Sequence, residues 1–303
     1  MKDLDNKVLV LYYHRINQIK NDPFELCVSA ENFEEQIKFL KEQYHILRFE
    51  DNWNKADNGI VITFDDGYAD NLYIALPILK KYQVPATIFI SSGQIEKNEI
   101  NWWDELYELI VVHNHNDIIE IADEQYGCTW KTYDDELKLN CFYAIHKLIK
   151  HYIDIDKRDS IMKQLRRQVC ITSFSDEYDL LTKEDISKLS KEKLVTIGGH
   201  TVSHSSLGRL SKEQQEKEIK DNIYYLENLI EKNINVFSYP FGAVDIDINS
   251  DTIEICKKLG INKAATTEHK TWEEEKCNLM IPRCEVKNWN LKEFSRRIDG
   301  FWR

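Results

Sequence analysis

The sequence GIVITFDDGYA at residues 59–69 determines how the rest of this chain is interpreted. Its first half is a continuous apolar run, which is typical of a buried strand. Asp65 and Asp66 follow this strand directly, and Gly67 permits a sharp turn of the backbone. Because adjacent strand residues point to opposite sides, one carboxylate can bind a metal ion while the other faces a substrate. Taken alone, the tripeptide is equally consistent with an acidic turn that closes a hairpin.

A second strand that ends in polar residues lies far downstream, in VTIGGHTVSH at residues 195–204. His200 and His204 are four residues apart, a spacing that places two imidazoles on one face of a helical turn. Two imidazoles and one carboxylate are a common ligand set for a catalytic divalent ion. Such a histidine pair alone is also typical of a polar surface loop, but two strand-end clusters of complementary ligand type favour a metal site.

These two segments resemble the first two signature motifs of the polysaccharide deacetylases, carbohydrate esterase family four. The segment FSYPFG at residues 237–242 resembles the third motif of that family. The resemblance extends from about residue 7 to 100 and again from about 185 to 285. It implies an α/β fold, a distorted and incomplete (β/α) barrel, and a metal-dependent deacetylase activity on carbohydrate.

The resemblance also implies a role for individual residues. Asp66, His200 and His204 are expected to bind a divalent metal ion, with zinc as the first choice and cobalt, nickel or manganese as alternatives. Asp65 is expected to be the general base, and the backbone N–H of Phe241 is expected to hold the oxyanion. These roles are chemically consistent, because a divalent ion lowers the pKa of water towards about 7 and a nearby carboxylate can complete its deprotonation.

The chain departs from the family pattern at its general acid. The C-terminal third lacks the usual strand-end histidine, and no histidine follows His269. Instead, the N-terminal apolar segment VLVLYYH at residues 8–14 ends in His14. This arrangement is similar to that of the circularly permuted members, the poly-N-acetylglucosamine deacetylases, and it implies that His14 is the general acid. The alternative is a strand-end histidine with a structural hydrogen bond.

A second departure concerns the arginine that usually opens the third motif and orients the base. Ser238 occupies that position here. Arg283 and Arg15 are the two candidates to replace this arginine beside Asp65, although a basic residue near a strand end is ordinarily solvated.

Composition restricts the class of protein. A chain of 303 residues with 42% hydrophobic and 11% aromatic residues is typical of a globular protein. The net charge of −12, from 40 basic and 52 acidic residues, disfavours nucleic acid as a partner. The charged first residues and the absence of a long apolar run predict neither a secretory signal nor a transmembrane segment. Seven cysteines without a CxxC pair favour a reduced, cytoplasmic protein.

The order of predicted elements suggests two domains. Strands and helices alternate in residues 1–100 and 190–303, which predicts a barrel domain with ligand sites at the carboxyl ends of its strands. Residues 101–189 are predicted to form a mainly helical insertion. Trp103, Asp104 and Tyr239 are candidates for contact with a sugar ring. For the tryptophan, packing at the start of a helix is an equally good interpretation.

The resemblance therefore implies a hydrolase that removes the N-acetyl group from an N-acetylated sugar of a surface-polysaccharide or lipopolysaccharide pathway. The sugar is expected to be free, nucleotide-linked or lipid-linked. One alternative is a deacylase of the same mechanism that acts on an O-acetyl ester or a non-sugar amide. Another is a non-catalytic sugar-binding protein, which need not bind a divalent ion.

Overall fold

The computed structural model describes residues 7–19, 22–53, 58–171, 173–273 and 277–302. The chain divides into two compact units. The barrel unit comprises Met1–Lys97 and Leu180–Arg303, and the helical unit comprises Asn98–Asp179. The domain bounds predicted at residues 101 and 189 stay a prediction.

The strands of both units are short, and they are numbered in chain order. They are β1 (Lys7–Tyr13), β2 (Arg15–Ile16), β3 (Cys27–Val28), β4 (Ile46–Leu47), β5 (Gly59–Phe64), β6 (Ala86–Ile90), β7 (Ile118–Ile121), β8 (Cys128–Lys131), β9 (Val195–Gly199), β10 (Val236–Ser238), β11 (Lys263–Ala265), β12 (Trp272–Glu273) and β13 (Cys284–Glu285).

The helices are also numbered in chain order. They are α1 (Ala30–Gln43), α2 (Leu76–Tyr82), α3 (Gly93–Lys97), α4 (Trp102–Tyr107), α5 (Asp135–Tyr152), α6 (Ile155–Val169), α7 (Lys183–Leu189), α8 (Lys212–Ile230), α9 (Ser250–Lys258) and α10 (Leu291–Phe301). Two π-helical segments, Asn71–Ala75 and Glu108–Val112, adjoin α2 and α4.

The main sheet of the barrel unit runs in the order β11-β10-β9-β6-β5-β1. These strands are parallel to their neighbours, β4 adds to β5, and β12 pairs with β1 in the antiparallel sense. Ile281 bridges Ala265, and β13 pairs in parallel with β1 at Leu11 and Tyr12. The segment from Ile281 to β13 thus connects the last strand back to the first. The fold is the distorted, incomplete (β/α) barrel that the sequence predicts.

The side chains of the strands point alternately into two hydrophobic cores. In β1, Val8 and Val10 belong to the cluster inside the barrel, together with Phe89. Leu9 and Leu11 belong to the cluster that packs against the surrounding helices. Because successive strand residues point to opposite faces, an unbroken apolar run satisfies both cores at once.

The helical unit has its own small core. The strands β7 and β8 form an antiparallel hairpin, and the helices α4, α5 and α6 supply most of the remaining structure. Trp102 stacks on His146 with ring centroids 5.1 Å apart. Burial lowers the pKa of His146 to about 4, so this imidazole packs as a neutral aromatic ring. The mainly helical character predicted for this part of the chain is confirmed.

No helix in the described part of the chain is long and apolar enough to cross a membrane. All seven cysteines are free thiols.

Candidate active site and metal centre

The motifs predicted from the sequence meet at the carboxyl ends of three parallel strands. Asp66 follows β5, His200 follows β9, and the third motif begins in β10. The potential ligand atoms of Asp66, His200 and His204 all lie within 4.8 Å of one another. Parallel strands end at a common edge, so residues far apart in sequence converge there.

The three side chains are buried and face one another. Asp66 Oδ1 lies 3.4 Å from His200 Nε2 and 3.3 Å from His204 Nε2. The ring centroids of the two histidines are 4.9 Å apart. The geometry brings one carboxylate oxygen and two ε-nitrogens to a common point.

The orientation of His200 is fixed from its other side. Its Nδ1 lies 2.7 Å from the carbonyl oxygen of Ser238, and a carbonyl can only accept. Nδ1 therefore carries the proton and donates, which leaves the lone pair of Nε2 directed at Asp66. Burial alone would lower the pKa of His200, but the negative charges of Asp66 and Asp65 beside its ring raise this pKa.

The second imidazole is neutral in this environment. Burial lowers the pKa of His204 to about 3, and the charge of Asp66 offsets only part of that effect. A neutral imidazole can offer a nitrogen lone pair to a metal ion. The edge of this ring contacts Phe241, with centroids 4.7 Å apart.

The residues fit a divalent cation on physical grounds. Asp66 Oδ1 is buried and has no hydrogen-bond partner, although it faces two imidazole nitrogens. Burial would raise the pKa of Asp66, but its close contact with the two imidazoles holds the pKa below its usual value. A buried carboxylate without a donor is costly unless a positive charge compensates it. One carboxylate and two imidazoles are a ligand set that suits zinc.

Asp65 is held by a buried arginine. Arg283 is fully buried, and its Nη1 and Nη2 donate to Asp65 Oδ1 and Oδ2 at 2.8 and 2.7 Å. Burial would raise the pKa of Asp65, but the charge of Arg283, that of His200 and the hydrogen bonds from the guanidinium lower it below its usual value. Asp65 is therefore anionic and fixed in orientation, as bidentate arginine pairs are.

Several groups hold Arg283 itself in place. Its Nε donates to the carbonyl of Thr266 at 3.1 Å, and Nη2 donates to Ser238 Oγ at 2.7 Å. The guanidinium carbon lies 4.6 Å from the ring centroid of Tyr12. Ser238, at the position where the family motif usually has an arginine, thus contacts an arginine from the segment directly before β13.

The other candidate arginine has a different partner. Arg15 is buried, and its Nε lies 3.6 Å from Asp70 Oδ2. Its guanidinium carbon lies 4.5 Å from the ring centroid of Tyr68. Of the two arginines proposed to orient Asp65, the structure places Arg283 against that carboxylate and Arg15 against Asp70.

His14 lies next to Asp65 because their strands are paired. β1 and β5 are parallel, and their last residues, Tyr13 and Phe64, are paired. His14 and Asp65 directly follow these two residues. The N–H of Asp65 donates to the carbonyl of Tyr13 at 3.0 Å. Charge on His14 lowers the pKa of Asp65 and of Asp66, so its ring is electrostatically coupled to both carboxylates.

The backbone at this site is locally strained. A positive φ between 52° and 75° is found at four non-glycine residues of the motifs, namely Asp66, Thr201, His204 and Phe241. Each such residue costs on the order of 1 kcal/mol or more and persists only where its surroundings fix it. Such residues concentrate at functional sites, in agreement with the location of the three motifs.

The three residues proposed to contact sugar are all buried. Tyr239 is fully buried in the core, and its hydroxyl donates to the carbonyl of Leu279 at 3.0 Å. This placement corrects the expectation that Tyr239 meets a substrate, because its ring has no exposed face. Trp103 and Asp104 are buried in α4 of the helical unit, and their contact with a sugar stays a prediction.

Two functional candidates were missed in the sequence. Glu218 and Asn222 lie on the buried face of α8 and hydrogen-bond to residues of the histidine motif. The other charged residues of this helix are at least partly exposed. The signal that distinguishes these two is their position in the same stripe as the apolar residues Ile219 and Ile223.

Arg283→Lys should lower turnover by about 10- to 100-fold, because an ammonium keeps the charge but cannot form the two-pronged contact with Asp65. Weaker stabilisation of the carboxylate raises the pKa of Asp65, so the acidic limb of the pH–rate profile should move to higher pH. Arg15→Lys is the matched control, a buried arginine paired with Asp70, and should leave that limb in place. Unchanged turnover and an unchanged acidic limb in Arg283→Lys would contradict this assignment.

Comparisons with known proteins identify a family and several relatives of this chain. A family model described as polysaccharide deacetylase matches residues 53–264. A poly-beta-1,6-N-acetyl-D-glucosamine N-deacetylase of Staphylococcus aureus is 22% identical over 324 residues, which cover 99% of this chain and 86% of that protein. YxkH of Bacillus subtilis is 22% identical over 270 residues, and the alignment spans 86% of this chain but only 65% of that protein.

Solved structures show the same fold. The deacetylase PplD of Streptococcus pyogenes, in complex with acetate, aligns with a TM-score of 0.61 and 20% identity over 96% of this chain and 97% of that chain. IcaB of Ammonifex degensii aligns with a TM-score of 0.59 and 14% identity over 98% and 97%. The family match covers well over half of the sequence, and this chain therefore belongs to the polysaccharide deacetylases, carbohydrate esterase family four.

Proposed function

We propose that this protein is a divalent-metal-dependent N-deacetylase of an N-acetylated sugar. The observation that carries the proposal is the convergence of Asp66, His200 and His204 beside an anionic Asp65 that is held by Arg283. A non-catalytic sugar-binding protein has no need for this arrangement, because a buried ion pair and an uncompensated buried carboxylate both cost stability.

The metal site would be formed by Asp66 Oδ1 and the ε-nitrogens of His200 and His204. A divalent ion bound there would acidify water and polarise the acetyl carbonyl, with zinc as the expected ion. The protein's own contribution is to keep both imidazoles correctly oriented and both carboxylates ionised.

Asp65 would act as the general base. The two hydrogen bonds from the guanidinium of Arg283 keep Asp65 ionised despite its burial. Asp65 can therefore accept the proton of the attacking water. The attack converts the planar amide carbon into a tetrahedral centre with a negatively charged oxygen. The backbone N–H of Phe241, at the turn after β10, would donate to that oxygen.

His14 would act as the general acid. The C–N bond breaks readily only when the departing nitrogen is protonated, because an amine anion is a very poor leaving group. His14 is coupled electrostatically to both carboxylates and extends from the strand beside Asp65. Its imidazolium would give the proton to the nitrogen, which leaves as the free amine of the sugar.

The relatives support a proposal for the substrate class. Poly-N-acetylglucosamine deacetylases are among the proteins that this chain resembles along nearly its full length. We therefore expect an N-acetylhexosamine unit of a surface-polysaccharide or lipopolysaccharide pathway. An O-acetyl ester or a non-sugar amide is the alternative, since the same groups can hydrolyse either bond.

Acetate release from β-1,6-linked N-acetylglucosamine oligomers should test the function. The zinc-loaded protein should release acetate, a chelator should abolish the reaction, and added zinc should restore it. Asp66→Ala should lose most bound metal and nearly all turnover, because two ligands rarely retain an ion that three hold.

Three results would contradict this proposal. Chelator-insensitive release of acetate, or stoichiometric metal in purified Asp66→Ala protein, would overturn the metal assignment. Acetate released from O-acetyl esters alone would replace the N-deacetylase with the esterase alternative.

The role of His14 should depend on the leaving group. His14→Ala should lower turnover of an N-acetyl sugar by about 10²- to 10⁴-fold, the usual contribution of a general acid. The same variant should retain most activity on 4-nitrophenyl acetate, because a nitrophenolate leaves without a proton. Bound metal and thermal stability should be unchanged.

His269→Ala is the matched control, since His269 is exposed and contacts Phe301. It should affect neither substrate. An equal loss on both substrates in His14→Ala would indicate a structural or ligand role, and unchanged amide turnover would exclude the acid role.

A further inference from the structure

We propose that Asn222 of α8, together with Glu218 one turn earlier, is a positioning residue that sets the metal affinity of the site. It would do so by fixing the backbone of the segment from His200 to His204, here called the histidine loop. This inference rests on the proposed function, because it concerns the ion that the function requires.

Asn222 uses both ends of its side-chain amide on the histidine loop. Its Oδ1 accepts from the N–H of His200 at 3.0 Å, and its Nδ2 donates to the carbonyl of Thr201 at 2.7 Å. The same Nδ2 lies 3.0 Å from the carbonyl of Ile90 and 3.0 Å from Ser92 Oγ. One fully buried side chain thus ties the loop to the end of the neighbouring strand β6.

Glu218 continues this contact along the loop. Its backbone carbonyl accepts from the N–H of Val202 at 3.2 Å, and its Oε2 accepts from the N–H of Ser203 at 2.8 Å. Together, the two α8 residues contact four consecutive residues that begin with a metal-ligand candidate. The spacing of four residues places Glu218 and Asn222 on the same face of the helix.

The loop needs such support because its backbone is strained. Thr201 and His204 have φ values of 63° and 52°, in the region that favours glycine. Without external hydrogen bonds, relaxation of either residue would rotate an imidazole away from Asp66. The buried bonds from α8 oppose that relaxation.

The close approach of α8 also explains a glycine in the motif. A Cβ atom at Gly199 would lie 2.7 Å from Asn222 Oδ1 and 2.6 Å from Ile223 Cδ1. A side chain at residue 199 would therefore push the helix away from the histidine loop. The glycine before His200 permits the contact that positions it.

Gln215 serves to distinguish positioning of the histidine loop by Asn222 from ordinary stabilisation of the fold. This residue is another buried amide of α8. It donates to the carbonyl of Leu210 at 3.1 Å and accepts from Thr252 Oγ1 at 2.6 Å. None of these bonds involves the histidine loop, so Gln215→Ala is a matched control for the loss of a buried amide.

The test is the dissociation constant of Zn²⁺, measured by competition with a chromophoric chelator on metal-free protein. Asn222→Ala should weaken binding by about 10- to 100-fold, while Gln215→Ala should change it by less than about threefold. Both variants should lower the thermal unfolding temperature of the metal-free protein. The visible spectrum of the Co²⁺-loaded protein should change in Asn222→Ala alone.

A folded Asn222→Ala protein with wild-type Zn²⁺ affinity would overturn the proposal. Should Asn222→Ala not fold, Glu218→Ala and Glu218→Gln give the same test, because glutamine retains an acceptor for the N–H of Ser203. Affinity should fall in Glu218→Ala and recover in Glu218→Gln, and equal affinity in both would overturn the proposal. Failure of the wild-type protein to bind any divalent ion would instead overturn the proposed function itself.

Discussion

The burial of two adjacent carboxylates at the end of β5 is the constraint on which the site depends. Asp65 and Asp66 are each less than 4% exposed, and like charges so close together cannot both remain ionised without compensation. The structure gives the two carboxylates different partners. Arg283 compensates one carboxylate, and two imidazoles face the other.

This separation gives the two residues different chemistry. The oxygens of Asp65 accept from fixed N–H groups, so its charge is stabilised within the protein. Asp66 presents an oxygen without a hydrogen-bond donor, so its charge is best compensated by an ion. Neighbouring aspartates thereby become candidates for a base and a ligand. The barrel supplies both sets of partners, because its parallel strands all end at one edge.

Much of the fold could be predicted from local sequence. Continuous apolar runs identified β1 and β5, and the polar residues that follow strands identified the edge that carries the site. The pairing of β1 with β5 explains why an N-terminal histidine can stand beside the base: the sheet makes His14 and Asp65 neighbours. Pairing between strands that are far apart in sequence cannot be predicted from local patterns. The role of His14 beside the base was suggested by the family resemblance, not by the strand pattern.

The remaining contacts depend on three-dimensional packing that no local pattern reports. Two arginines near strand ends were equivalent in the sequence, and only the course of the segment before β13 places Arg283 at Asp65. Tyr239 belongs to the third motif but is buried in the core. Successive strand residues point to opposite faces, and the side chain of Tyr239 points away from the site. The position of Asn222 in the apolar stripe of its helix indicates burial, but only the structure shows that its amide contacts the histidine loop.

The central claim is that Asp66, His200 and His204 hold one divalent ion beside Asp65. It is tested most directly by a crystal structure of the Zn²⁺-loaded protein, with anomalous diffraction measured on both sides of the zinc absorption edge. We expect one strong anomalous peak within about 2.0 to 2.2 Å of Asp66 Oδ1 and of both ε-nitrogens. Asp65 should remain on Arg283 and outside the ligand set. A peak located elsewhere, or one bound without Asp66, would contradict the account.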